Sequence, residues 1–183
     1  MRRLYVTPFI FSATSAFTLS FAATVAEVGG KDNVKIGYAL ASAKIDLAEA
    51  IKQTEAQLHG TVLKADLERA HGHYIYEIDV AKDAAVTEIK FDPKSGALHN
   101  SDVDPIDEDE QRSLTALHSA QTSLVTAITI AMEHTHAKAK SAKLEEDDGN
   151  TFFEIKLVGD GKEYEVMIDP ANGKVLWTKA DDD

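Results

Sequence analysis

The chain has 183 residues, enough for one ordinary domain or two small ones and too few for most multidomain enzymes. Its 44% hydrophobic and 27% charged residues exclude wholesale disorder and low-complexity fibres. A total of 19 Lys and Arg against 31 Asp and Glu leaves a net charge of −12, which repels nucleic acid and anionic lipid, and the absence of cysteine removes disulfides, thiolate metal sites and cysteine nucleophiles.

The first element is an address. Met1, Arg2 and Arg3 give a positive start, residues 4–21 are uncharged and mostly apolar, and Ser20 and Ala22 stand at the −3 and −1 positions of a cleavage point after residue 22. A cut after Ala26 reads equally well. The pattern predicts a secretory signal peptide over residues 1–22, because Thr7, Pro8, Ser12, Thr14, Ser15, Thr18 and Ser20 make a poor membrane span. The expected location is periplasmic or secreted, with no membrane contact once the signal is removed. Loss of Arg2 and Arg3 then deepens the charge from −12 to −14. Residues 23–37 are expected to form an N-terminal linker.

From there the chain repeats itself. Asp92-Pro93-Lys94-Ser95-Gly96 recurs as Asp169-Pro170-Ala171-Asn172-Gly173, an offset of 77 residues. The same offset places Tyr76-Glu77-Ile78 on Phe153-Glu154-Ile155, Leu67-Glu68 on Leu144-Glu145, His59 on His136 and Ala50-Ile51 on Ala127-Ile128 without a gap. Two copies of one unit are therefore expected, over residues 38–101 and 113–180. An acidic linker at 102–112, carrying Pro105 and offering Asp104 as a helix cap, separates them, and 181–183 form an acidic tail.

Within the first copy, Leu47, Ala50, Ile51, Thr54 and Leu58 recur at three- and four-residue spacing, the signature of one amphipathic helix. Asp46 followed by Glu49 predicts its N-cap, and Ser123 is the matching cap in the second copy. Periodicity runs back to Leu40 and Leu117, leaving helical and extended leaders both open. Strand-like runs follow at 61–70, 73–80, 86–92 and 97–101. Tyr76, Ile78 and Val80 alternate with Ile75, Glu77 and Asp79, as in an antiparallel sheet buried on one side. Asp92-Pro93-x-x-Gly96 predicts a tight hairpin, since proline presets φ and glycine accepts a positive one. The fold class is α+β: two tandem repeats, each one amphipathic helix packed on one face of a three- or four-stranded antiparallel sheet.

The run from the helix through Tyr76-Glu77-Ile78-Asp79-Val80 to Ile89-Lys90-Phe91-Asp92-Pro93-Lys94-Ser95-Gly96-Ala97-Leu98 resembles PepSY domains, found in the propeptides of thermolysin-type metallopeptidases and in a sporulation protein. Phe153-Glu154-Ile155-Lys156-Leu157 and Val166-Met167-Ile168-Asp169-Pro170-Ala171-Asn172-Gly173-Lys174-Val175-Leu176 are similar to it more closely still. The resemblance implies an α+β unit, an exported setting and a role in binding or restraining peptidases, and carries no catalytic residue across. With no peptidase domain after Asp183, action on a separate protein is expected rather than inhibition within one chain.

Chemistry-bearing patterns are sparse. The sequence has no Gly-x-Ser-x-Gly elbow, no His-Glu-x-x-His helix and no phosphate-cradling glycine loop, so it is read as non-catalytic and without a cofactor. His71 with His73 and His134 with His136 are candidate metal pairs, and a metal- or small-ligand-responsive module of the periplasm is the alternative reading. On a continuing helix, however, residues two apart point about 200° apart, so His134 and His136 converge only beyond the helix end. Glu145, Glu146, Asp147 and Asp148 lack the ligand alternation of a calcium loop. The expected partner is another protein, a peptidase or envelope sensor, met by the side of the sheet that no helix covers. Alternation assigns to that side Ile75, Glu77, Asp79, Glu88 and Lys90 in the first copy, and Phe152, Glu154, Lys156, Glu165 and Met167 in the second, with Glu163 beside them. Val125 and Met132, flanking the core stripe of the second helix, are expected to dock the two units together.

Overall fold

A computed structural model describes residues 30–147 and 149–181; the predicted signal peptide lies outside the described residues. The chain folds as α1 (Gly30–Ser42), α2 (Leu47–Leu58), β1 (Thr61–Ala70), β2 (His73–Lys82), β3 (Ala85–Phe91), β4 (Leu98–Pro105), then α3 (Glu108–Ser119), α4 (Leu124–Thr135), β5 (Lys138–Asp147), β6 (Asn150–Gly159), β7 (Lys162–Ile168) and β8 (Val175–Asp181). Shifting the first six elements by 77 residues reproduces the second six to within about one residue, so the duplication includes the leader segments. Both leaders are separate helices rather than extensions of α2 and α4.

Each copy is helix on antiparallel sheet, as expected, but the eight strands form one sheet in the order β4-β3-β2-β1-β5-β6-β7-β8. The join is β1 against β5, antiparallel, with Lys64 opposite Lys143, Ala65 opposite Ala142 and Asp66 opposite Ser141. Ala65 and Ala142 are themselves 77 residues apart, so a pseudo-twofold axis runs through this pair and exchanges the copies. Both alanines are fully buried, and α2 and α4 pack against each other above the β1–β5 seam. One hydrophobic core therefore runs through both halves, including Ile51, Ile78 and Phe91 from the first and Ile128, Phe153 and Ile155 from the second. Val125 and Met132 are partly buried against it. A unit of this size shelters little apolar area alone, and sharing one core removes the edges that two separate sheets would expose at β1 and β5.

The predicted N-caps of the two core helices are in place. The Asp46 carboxylate accepts from the Glu49 N–H at 2.9 Å and the Ser123 hydroxyl from the Thr126 N–H at 3.1 Å, satisfying a free donor at each helix start. His59 and His136, at φ 54° and 56°, end the two helices in the left-handed conformation, and their N–H groups bond to Glu55 O and Met132 O. The Asp-Pro hairpins serve a wider purpose than turning the chain. Gly96 donates to Asp92 O at 2.8 Å, while the Pro93 carbonyl accepts from the Lys44 and Ile45 N–H groups at 3.0 and 3.1 Å. In the second copy Pro170 O accepts from Gln121 and Thr122 at 3.0 and 2.9 Å. Each hairpin thus anchors the break between leader helix and core helix.

Three sequence boundaries are corrected. Residues 102–112, read as a solvated linker, are divided between the end of β4 and the first turns of α3, and residues 30–37 of the expected N-terminal linker are helical. Asp104 is in β4; the cap is Asp107, whose side chain accepts from Glu110 N–H while the Glu110 carboxylate accepts from Asp107 N–H. The leader helices also cross between copies: α1 packs on β5, β6 and β7 of the second, whereas α3 packs on β1 as well as β5. Ile106, Leu114 and Leu117 pack there on Leu63, Ala81 and Val86.

Candidate functional site

The face of the sheet turned away from α2 and α4 is built by alternation along β2, β3, β6 and β7, and it is not free of helices as expected, because Ala81 and Val86 on the same side are buried beneath Leu114 and Leu117 of α3. Glu77 stands opposite Lys90 and Asp79 opposite Glu88 across β2–β3, while Glu154 stands opposite Met167 and Lys156 opposite Glu165 across β6–β7. Phe152 lies opposite Glu145, and Ile75 opposite Glu68. All ten residues assigned to this side from the sequence are half-buried, whereas their neighbours Tyr76, Ile78, Phe153 and Ile155 are fully buried in the core. The β1–β5 join then merges the two predicted patches. Lys64 and Asp66 pair with Asp79 and Glu77 on one side, and with Lys143 and Ser141 on the other, giving one charged surface across both copies.

Charge on this face is dense and unevenly balanced. Lys64 pairs with Asp66 at 2.9 Å, Lys90 with Glu88 at 3.2 Å, Lys156 with Glu154 at 3.3 Å, and Lys143 with Glu145 and, at 3.7 Å, with Glu154. Lys64 and Lys143 are directly opposite like charges, a destabilising arrangement relieved by these carboxylates. The Asp66 hydrogen bond raises the Lys64 pKa, and in Lys143 the Glu145 and Glu154 carboxylates outweigh the opposing effect of burial. The acids pay the opposite way: burial raises the pKa of Glu77, Asp79 and Glu165, and the nearby carboxylates Glu88 (for Glu77 and Asp79) and Glu154 (for Glu165) raise it further. These carboxylates are held on the sheet at a cost in stability.

Beyond the residues found by sequence reasoning, the face includes Lys64, Asp66, Ser141 and Lys143, which only the β1–β5 register brings together. It also includes Trp177, opposite Met167 on β8, and Lys179, opposite Glu165. Trp177 was legible in principle, since its strand follows the Asp-Pro hairpin by the same offset as β4.

Of the histidine pairs, His134 and His136 lie apart from this surface, while His73 opens β2 at its margin, two residues before Ile75. His71 and His73 are exposed at the β1–β2 turn, and His134 and His136 are exposed at the end of α4, where His136 is the left-handed helix stop. Among the described residues no group of three or more His, Asp or Glu is arranged to hold a metal ion. Among the same residues no helix is long and apolar enough to cross a membrane.

With helix, sheet and Asp-Pro hairpins in place, the comparison with known proteins is direct. The family described as peptidase propeptide and YPEB domain matches twice, over residues 44–98 and 123–176. The chain belongs to the PepSY family. Each PepSY match runs from the anchored break before a core helix to the last strand of its copy, leaving α1 and α3 outside. Protein YkoJ of Bacillus subtilis (strain 168), itself uncharacterised, is 27% identical over 136 residues, covering 74% of this PepSY chain and 73% of its own. A solved structure of a provisionally named lipoprotein from Clostridium difficile 630 is 19% identical, with a TM-score of 0.48, covering 76% of this chain and 95% of that one.

Proposed function

We propose that this chain is an exported, non-catalytic tandem PepSY protein that binds, and thereby restrains, a peptidase or another envelope protein through the face of its sheet turned away from α2 and α4. The observation that carries this reading is the face itself. An eight-stranded sheet presents half-buried Glu77, Asp79, Glu88 and Glu165, together with Phe152, Met167 and Trp177, on the side opposite α2 and α4. Apolar side chains rimmed by charge on one face suit contact with a protein partner. Family membership supports the peptidase, since PepSY units are named for peptidase propeptides.

The test is inhibition in trans. The chain from residue 23 onward, added at micromolar concentration to a thermolysin-type metallopeptidase, is expected to slow cleavage of a peptide substrate. Glu77→Lys combined with Glu165→Lys is expected to weaken that effect at least tenfold while leaving the circular dichroism spectrum unchanged. Absence of slowing and of binding across co-exported peptidases removes the peptidase reading.

A further inference from the structure

The two Asp-Pro hairpins share a shape but differ in chemistry. Asn172-Gly173 is the one Asn-Gly step in the sequence, and the first copy has Ser95-Gly96 at the equivalent place. An asparagine amide followed by glycine is open to attack by the glycine backbone nitrogen, because no β-carbon hinders the approach. Asn172 is exposed, yet the folded turn holds both reacting groups. Its Nδ2 donates to Asp169 Oδ2 at 2.7 Å, its Oδ1 accepts from the Lys174 N–H at 2.9 Å, and the Gly173 N–H donates to Asp169 O at 2.8 Å. In the first copy the Ser95 hydroxyl accepts from the Ala97 N–H at 3.2 Å but offers no carbonyl to attack.

We propose that Asn172 is a deamidation site gated by its own hairpin: the closed turn shields it, the open turn converts it, and the product keeps the turn from closing again. In the first step Gly173 N bonds to Asn172 Cγ, the Cγ–Nδ2 bond breaks, and ammonia leaves carrying the proton of the Gly173 N–H. Water then opens the cyclic imide, at Cγ to give aspartate or at the main-chain carbonyl carbon to give isoaspartate, in which the chain runs through the β-carbon. Neither product fits the closed turn. Aspartate replaces the Nδ2 donor with a charged oxygen facing Asp169 Oδ2. Isoaspartate inserts a methylene ahead of Gly173, where even one added β-carbon falls 3.1 Å from Ile130 Cδ1 and 3.4 Å from Thr122 Oγ1. The Pro170 carbonyl that anchors Gln121 and Thr122 belongs to the same turn, so conversion loosens the break between α3 and α4 and leaves the first copy as it was.

The test needs no partner and stands apart from the protein-binding reading. The full chain and a synthetic peptide of residues 166–176 are incubated side by side at mildly alkaline pH, and peptide mapping separates asparagine, aspartate and isoaspartate at position 172. The folded chain is expected to convert more slowly than the peptide by about tenfold or more, the protection given by a local opening, and to reach the peptide's rate in denaturing urea. Asp169→Ala, which frees Nδ2, is expected to convert at a rate between the two. For the product, the aged chain is expected to melt at a lower temperature than the fresh one, in proportion to its isoaspartate, whereas Asn172→Ser, carrying the first copy's residue, melts alike before and after the same incubation. Equal rates in folded chain and peptide would overturn the gate. Isoaspartate accumulating with no change in melting, or an equal fall in Asn172→Ser, would overturn the latch.

Discussion

Because the elements of the two copies correspond at a constant offset of 77 residues, each difference between them isolates one physical choice. At the frame they agree: a capped core helix, a left-handed histidine stop, an Asp-Pro hairpin whose proline carbonyl anchors the leader, and an alanine on the axis. They part where a constraint can be met in two ways or where a surface is free. Gly60 and Lys82 of the first copy correspond to Ala137 and Gly159 of the second, so each site keeps one glycine but on opposite strands. Thr54 corresponds to Ala131, and Ala84 to Gly161. The frame is what both copies must share to make one sheet; the exceptions are local.

The largest effect is expected at the glycines. A β-carbon on Gly60 falls 2.6 Å from Val80 Cγ1 and 2.8 Å from the Ala81 carbonyl, and one on Gly159 falls 2.9 Å from Ala137 Cβ. Gly60→Ala should cost roughly 2–3 kcal/mol as an overpacked contact. Gly159→Ala should be destabilising too, with most of that loss recovered by adding Ala137→Gly. Urea denaturation of the three variants checks whether one glycine per site is the rule.

Next is the buried hydroxyl. Thr54 is fully buried in α2 and its Oγ1 has no hydrogen-bond partner among the described residues, whereas Thr135 in α4 donates back to Ala131 O at 2.8 Å. Thr54→Val keeps the shape and removes the orphaned group, so unfolding should become harder by roughly 1–2 kcal/mol. A neutral or lower midpoint would show that the hydroxyl has found a partner. Ala84 sits at φ 63° in the β2–β3 turn where the second copy has Gly161 at 76°. Ala84→Gly should therefore stabilise by about 1 kcal/mol, read as a rise in melting temperature.

The smallest expected effect is electrostatic and depends on pH. Burial and the Glu88 carboxylate raise the Asp79 pKa in the fold, against the pull of Lys64. The native state then holds a proton that the unfolded chain releases, so stability falls as pH rises from the unfolded to the folded pKa, and the full cost remains above that window. Asp79→Asn should gain on the order of 0.5 kcal/mol at pH 7, with solvent screening keeping it small, and nothing at pH 3. Asp92 is the contrast. Backbone N–H donors from Lys94 and Ser95 hold its carboxyl below the usual range, so its contribution is present above the unfolded pKa and fades as pH falls through the folded one. The two carboxylates should thus tilt the stability curve in opposite directions.

Much of this was legible from residue order. The duplication, the two capped core helices, the four strands per copy and the alternation that sorts Glu77 from Ile78 are short-range patterns, each fixed by the period of a helix or a strand. The leader helices were not legible, because their periodicity continues into the core helices: the caps Asp46 and Ser123 mark where the core helices start, but only the proline carbonyls of distant hairpins show that a separate helix precedes each. Nor did the acidic run at 102–112 announce a strand end and a capped helix, since charge suits a solvated loop and a helix start alike.

What the sequence by itself determined is the unit: its elements, its buried side and its twofold copying, all written in spacing. What only the tertiary structure decided is that the units share one sheet, with β1 against β5 and leader helices crossing over. Pairing between strands 77 residues apart leaves no periodic trace, because register there is chosen by how the two helices pack over Ala65 and Ala142 rather than by any local preference.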